Sequence, residues 1–272
     1  MTGEPRVTSL RRYPVKACAP EHLQVASVGV DGLVGDRTLA VAVGDRIVTQ
    51  RELARLARVR PSLDDTTGLL HLEYDDREPV EAVVDTDRPT REVTIFGEAV
   101  AVVDQSPGLS DWLSRLLEAP ARLVAAPAST RRTSPGEVQG WTVLSDEGTI
   151  SLHSEASLAL LNDALVERGQ RALTSDRFRA NIVIDGVGAH AEDDVRLIEA
   201  GDVRMAFAQV DARCVVTTVD QQAGVRSGPE PLRTLAGYRR LARGGVAFGI
   251  YAAVTASGTL RVGDAVRLTP RS

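Results

Sequence analysis

The chain has 272 residues, 43% of them apolar and 25% charged, enough for two small soluble globular domains. A formal charge of −5 argues against a general nucleic-acid surface, and aromatics at 4% leave few platforms for stacking bases. No apolar run reaches the length of a membrane span, and the opening MTGEPRVTSLRRYPVKAC lacks a signal peptide's apolar core, so the expected location is cytoplasmic, with no membrane span.

In chain order, the first hundred residues read as short strands. VTSLRRYPVKAC, HLQVASVGV, RTLAVAVGDRIVTQ, LLHLEY, PVEAVV and EVTIFGEAVAVV mix β-branched residues with alternation. Turn signals at Asp31-Gly32, Gly44-Asp45 and Phe96-Gly97-Glu98 separate them. TQRELARLARV interrupts with a helical turn. GLSDWLSRLLEAP reads as a helix with Ser110 as N-cap and Pro120 as its stop. APASTRRTSPGEVQG, rich in Pro, Ser, Thr and Gly, reads as a linker or mobile loop. SEASLALLNDALVERG is a clearer helix: Ser154 caps it, Leu158, Leu161 and Leu165 form its stripe, and Gly169 ends it. FRANIVIDG, DVRMAFAQV, CVVTTVD, AFGIYAAVTASG and TLRVGDAVRL follow as strands, interrupted by a helix near PLRTLAGYRRLA. Many short strands with frequent turns point to a barrel or sandwich.

Chemistry-bearing residues are sparse. Cys18 and Cys214 are too far apart for a zinc spacing and too few to ligate an iron–sulfur cluster. His22, His71, His153 and His190 show no metal spacing, and no glycine motif matches a nucleotide loop. Lys16, Arg37, Arg51, Arg179 and Arg213 stand at strand ends, where cations can reach over a barrel mouth to an anion; each alone also fits a solvated strand end. Cys214 reads as the first residue of a buried strand. A lone strand cysteine most often packs a core, whereas an adjacent arginine favours a reactive thiolate. Neighbours on a strand point to opposite faces, so spacing leaves both readings open. Cys18 reads as packing.

The motifs YPVKAC, GDR, TQRE, LHSEASL, RFRANIVIDG, RCVVTTVD and FGIY, in this order, resemble the MOSC-domain proteins. The likeness is closest to the amidoxime-reducing branch and to bacterial reductases of N-hydroxylated bases, and spans about residues 7 to 268. It implies a mixed α+β, β-rich fold: an N-terminal β-barrel-like domain over residues 1–125, then a MOSC β-barrel domain over 126–272 with peripheral helices. It implies a molybdenum cofactor, Mo-molybdopterin, with Cys214 as the protein ligand to the metal. Lys16, Arg37, Ser154, Arg179, Asn181, Ala212 and Arg213 match positions that hold the pterin, and Arg51 matches a basic position nearby. The partners implied are a small N-hydroxylated substrate and an external electron-donor protein of ferredoxin, flavoprotein reductase or cytochrome type. Two departures stand out: Ala17 where the family often has serine, and Ala180 where it has proline. The alternatives are a persulfide sulfur-transfer protein using Cys214, and a non-catalytic carrier of the cofactor. Carboxylates near the motifs, Glu155 and Asp220, are the candidate proton donors.

Overall fold

Strand Leu39–Val43 sits between two apolar cores, and that two-sidedness organises the first half. In the computed structural model, which describes residues 3–242 and 244–271, Ala40 and Ala42 of this strand face one core while Leu39 and Val41 face the other. With a side-chain period of two, a strand buried on both faces has to be apolar throughout, as LAVAV is. It belongs to a closed five-stranded barrel in the order Arg91–Ile95, Glu98–Asp104, Ala121–Ala125, Leu39–Val43, Arg46–Val48. All five strands contribute to the core that holds Ala40 and Ala42, which places that core inside the barrel. Leu39 and Val41 pack outward against helix Pro107–Leu117 and the hairpin-linked strands Arg60–Leu63 and Leu69–Glu73. That helix starts earlier than its sequence suggests: Ser106, not Ser110, holds the N-cap position. Proline is well tolerated at the first helical position, so Pro107 extends the helix.

The second half forms an eight-stranded sheet, in the order Glu21–Leu23, Arg6–Arg12, Ile182–Asp185, Ile150–Ser154, Val246–Ala256, Val203–Arg213, Val195–Ala200, Val266–Pro270. It curls around an apolar core that includes Ile150, Leu152, Ile184, Met205 and Phe207. A three-stranded sheet of Gly258–Arg261, Val25–Gly29 and Gly32–Leu33 closes that core with Leu260, Ala26, Val28 and Leu33. The first thirty or so residues thus pair with the second half before the chain enters the barrel. Helix Glu155–Glu167 follows the pattern read from sequence: the Ser154 hydroxyl accepts from the Ser157 N–H at 3.1 Å, and Gly169 lies just past the end at φ 71°.

Three expectations change. The 126–140 stretch is not a linker: Arg132–Ser134 pairs with Gly140–Thr142, and the Glu137 N–H donates to the Ala208 carbonyl at 2.8 Å. Gly136 (φ 156°) packs so closely on Ala208 that a Cβ would lie 2.7 Å from it, which is why glycine stands there. The helix near residue 232 is a single turn, Leu232–Leu235. Finally, CVVTTVD is not one continuous strand: only its last two residues, Val219–Asp220, pair in a sheet, with Val225–Arg226. The long strand ends at Arg213, and Val215–Thr218 is a 3₁₀ turn with Cys214 before it. Threonine hydroxyls drive the change: Thr217 Oγ1 donates to the Cys214 carbonyl (2.9 Å) and Thr218 Oγ1 to the Val215 carbonyl (2.7 Å). These local bonds give the backbone an alternative to a sheet ladder.

Candidate active site

The YPVK segment crosses from the large sheet to the barrel. The Lys16 N–H donates to the Leu39 carbonyl (2.7 Å), and the Arg37 N–H donates to the Tyr13 carbonyl (2.7 Å). Where the two bodies meet, a cavity of about 300 Å³ opens. Lys16, Arg37, Arg51 and Phe96 reach it from the first half; Arg177, Arg179, Asn181, Ala212, Arg213 and Cys214 reach it from the second. Six cationic side chains and three carboxylates (Asp146, Glu147, Asp211) line it, in a chain whose net charge is −5. The basic strand ends that sequence spacing could not connect therefore converge on one space.

Ser154 does not join them. It is fully buried, and its hydroxyl caps the helix and meets the Ser157 hydroxyl at 2.7 Å. Ser151, three residues earlier on the same strand, is the serine of that strand that lines the cavity. Glu155 and Asp220 do not line the cavity: Glu155 accepts from Thr8 Oγ1 at 3.1 Å, and Asp220 pairs at 3.2 Å with Arg177, which does line it.

Cys214 is half-buried, and its Sγ lies 3.2 Å from Arg51 Nη2. Asp146 bridges Lys16 and Arg51, the latter at 3.4 Å. Burial works against the Arg51 charge, but Cys214 and Asp146 together outweigh it and strengthen the guanidinium's hold on its proton. Burial pushes the Lys16 ammonium below its usual pKa, and Asp146 offsets only part of that. Arg37 lies against Asp36, and also donates to Asn181 Oδ1 (3.2 Å) and the Arg179 carbonyl (3.0 Å). The Asn181 amide donates to the Arg11 carbonyl at 3.1 Å, so this residue orients Arg37.

Arg37 and Arg179 both lie over the Tyr13 ring, at 4.5 and 4.2 Å from its centroid. Arg179 Nη1 donates to the Cys18 carbonyl (2.6 Å), while its buried Nη2 has no partner. Arg213 uses Nε on the Phe248 carbonyl (2.7 Å) and Nη1 on the Phe178 carbonyl (2.8 Å) and Asp211 (2.8 Å), and its buried Nη2 also lacks a partner. An unpaired buried donor is costly, and guanidinium forks match phosphate and carboxylate geometry. Two such donors beside one cation-rich cavity fit an anionic ligand.

Backbone strain gathers here too. Of the seven non-glycine residues with positive φ among the described residues, Ala17, Arg37, Phe96 and Arg179 line this cavity, at φ 68°, 50°, 50° and 53°. Left-handed backbone is unfavourable for such side chains and persists where the surroundings hold it. Gly148 supplies a close approach: a Cβ there would stand 1.8 Å from the Tyr251 ring.

None of the three cavity carboxylates was singled out from sequence, and Asp211 is the most buried of them. It is buried, accepts from Ser151 Oγ (3.1 Å) and pairs with Arg213. Burial nevertheless raises its pKa from 3.8 to about 6, with Arg213 and Ser151 opposing. The folded protein therefore holds this proton more tightly than the unfolded chain. Its stabilising contribution is complete below about pH 4 and is lost as pH rises through about 6. In cofactor-free protein, wild type should lose on the order of 3 kcal/mol relative to Asp211→Asn between pH 4 and 7, read from denaturant midpoints at each pH. A parallel pH dependence in the two proteins would remove Asp211 as the titrating group.

The profile of the MOSC domain matches residues 139–267, and that of the MOSC N-terminal beta barrel domain matches residues 4–120. Mitochondrial amidoxime-reducing component 1 of Homo sapiens is 30% identical over 281 residues, which span 96% of this chain and 82% of that protein. The chain belongs to the MOSC family of the amidoxime-reducing components. Component 2 of Rattus norvegicus is 32% identical, over 93% of this chain and 80% of its own length. The molybdenum cofactor sulfurase of Homo sapiens is 27% identical over 81% of this chain, but the match spans only 27% of that larger protein. The family thus joins amidoxime reduction and molybdenum-cofactor chemistry on the fold described here. No helix among the described residues is long and apolar enough to cross a membrane.

Both ring nitrogens of His153 are engaged within the protein. Its Nε2 meets Ser175 Oγ (2.7 Å), its Nδ1 the Ser154 carbonyl (3.0 Å), and burial lowers its pKa to about 3. Cys18 is wholly buried in the apolar core beside the barrel, with its thiol pushed up to about 12, as a packing residue should be.

Proposed function

We propose that this MOSC protein is a molybdenum-cofactor-dependent reductase of N-hydroxylated compounds, with Cys214 as the protein ligand to molybdenum. The observation that carries the reading is the convergence on one cavity of an accessible thiol, six cations and two unpartnered guanidinium nitrogens. A single thiol is a single ligand, so a metal at Cys214 has to bring its other ligands with it, as molybdopterin does. The cofactor's phosphate suits the orphaned donors of Arg179 and Arg213. The residues present therefore fit the group.

When bound, the molybdenum cofactor supplies the electron chemistry that breaks an N–O bond. The chain's own residues do the rest. Lys16, Arg37, Arg179 and Arg213 hold the cofactor's negative charge, and Asn181 fixes Arg37. Ala212, on the cavity wall beside Arg213, has only backbone groups to offer. Arg51 orients the Cys214 sulfur and keeps positive charge beside it. Asp211 holds a proton at its carboxyl group at mildly acidic pH, and an anion bound beside it would raise its pKa further, which makes it the proton source of this reading. The two cysteines among these residues are too few to ligate an iron–sulfur cluster, so the reading takes its electrons from a donor outside them. Ser154 is absent from the binding set, for the reasons of position given above.

The test is protein made in a host that synthesises the cofactor, assayed for metal, pterin and reduction of benzamidoxime with a chemical electron donor. The expected result is near-equimolar molybdenum and pterin, and turnover. A persulfide on Cys214 with no pterin would replace this reading with sulfur transfer. Tight pterin binding without turnover would replace it with a carrier.

A further inference from the structure

The hairpin Arg91–Ile95 and Glu98–Asp104 turns through Phe96 and Gly97, both at positive φ, 50° and 87°. A two-residue turn with both central residues at positive φ is the type I′ turn, whose first position favours Asn, Asp or Gly. A bulky aromatic there is disfavoured. The ring gains little from burial either, being 56% exposed. Yet it lines the cavity of Cys214.

Its surroundings are built. Lys16 Nζ lies 5.5 Å and the Arg51 guanidinium carbon 4.9 Å from the ring centroid. Arg51 in turn touches the Cys214 sulfur at 3.2 Å, so a single side chain separates ring and thiol. Arg132 ties the tip down, donating to Glu98 at 2.7 Å and to the Ser145 carbonyl at 3.0 Å beside Asp146. The ring is thus fixed at the open side of the cavity, with much of its surface free.

We propose that Phe96 is a specificity-determining residue, the wall against which flat, conjugated N-hydroxylated substrates stack beside Cys214. The inference rests on the reductase reading and adds to it a selectivity for aromatic over small aliphatic substrates. Stacking on a fixed ring costs the ligand little ordering and rewards a planar face. A left-handed turn residue whose ring does nothing would be better as asparagine.

Phe96→Asn is therefore the discriminating variant, with Phe96→Tyr as the control that keeps the ring. Without an electron donor, benzamidoxime and acetamidoxime bind to the molybdenum-loaded protein without turnover, and calorimetry gives each affinity. Phe96→Asn should weaken benzamidoxime about tenfold and leave acetamidoxime within about twofold, while Phe96→Tyr follows wild type. The ratio of kcat/KM for the two substrates should shift by the same factor. Melting should be no lower in Phe96→Asn, because Asn-Gly suits the turn. An unchanged affinity ratio in Phe96→Asn would overturn the inference while leaving the reductase intact. If the loaded wild type neither binds nor reduces either amidoxime, the reductase reading itself fails, and the inference with it.

Discussion

Cys214→Ala should reduce amidoximes no faster than the uncatalysed background, while its stability stays within about 1 kcal/mol of wild type. The thiol is half-buried at the wall of a cavity, against the Arg51 guanidinium. Little packing is lost when it is removed. Cys18 makes the contrast. It is fully buried among Val15, Leu56, Val59 and their neighbours, so Cys18→Ser places a hydroxyl where a sulfur packed, costing about 1–3 kcal/mol without removing the chemistry. Turnover and denaturant midpoints on the two variants separate these roles. A Cys214→Ala protein that turns over normally, or a Cys18→Ser protein that keeps its stability but loses turnover, would reverse the assignment.

Arg179→Met should lower the fraction of protein carrying cofactor at least about tenfold, and should leave the cofactor-free protein no less stable. Arg179 forms no ion pair among the described residues, its Nη2 is unpartnered, and burial depresses its pKa. An uncompensated charge in such a place costs stability until an anion arrives, so an unbranched apolar chain over Tyr13 is tolerated in the empty protein. Loss of the Nη1 bond to the Cys18 carbonyl and of the contact with Tyr13 opposes this, at about 1 kcal/mol each. Pterin released per mole of protein, beside thermal melts of cofactor-free protein, reads both sides. A large fall in melting temperature with normal cofactor content would make Arg179 a structural cation instead.

These two residues also show what was legible in the sequence. Both sit in motifs that resemble the family, and the cavity brings them together with Lys16, Arg37, Arg51, Asn181, Ala212 and Arg213. Spacing alone could not do this, because the segments that carry them are far apart in the chain and are brought together by pairings such as Arg6–Arg12 with Ile182–Asp185, across more than 170 residues of sequence. Alternation exposed the strands, and the Ser154 cap with its leucine stripe exposed the long helix. That same cap removed Ser154 from the site: a hydroxyl spent on a helix N-terminus is not free to reach a ligand. The 3₁₀ turn after Cys214 was hidden because threonine favours strands by shape but can also bond back to its own backbone. Asp146, Asp211 and Phe96 carry no local signature. Asp146 gains its role from Lys16 and Arg51, Asp211 from burial, and Phe96 from a backbone conformation that the Phe-Gly pair only hints at.

The proposed reductase requires the Cys214 sulfur to bind molybdenum. X-ray absorption at the molybdenum edge, on wild-type protein loaded in a cofactor-producing host, tests it most directly. The expected result is two dithiolene sulfurs and one further sulfur around the metal, the last absent when Cys214 is replaced by serine and the protein is reconstituted. The same sulfur count in both proteins would contradict it.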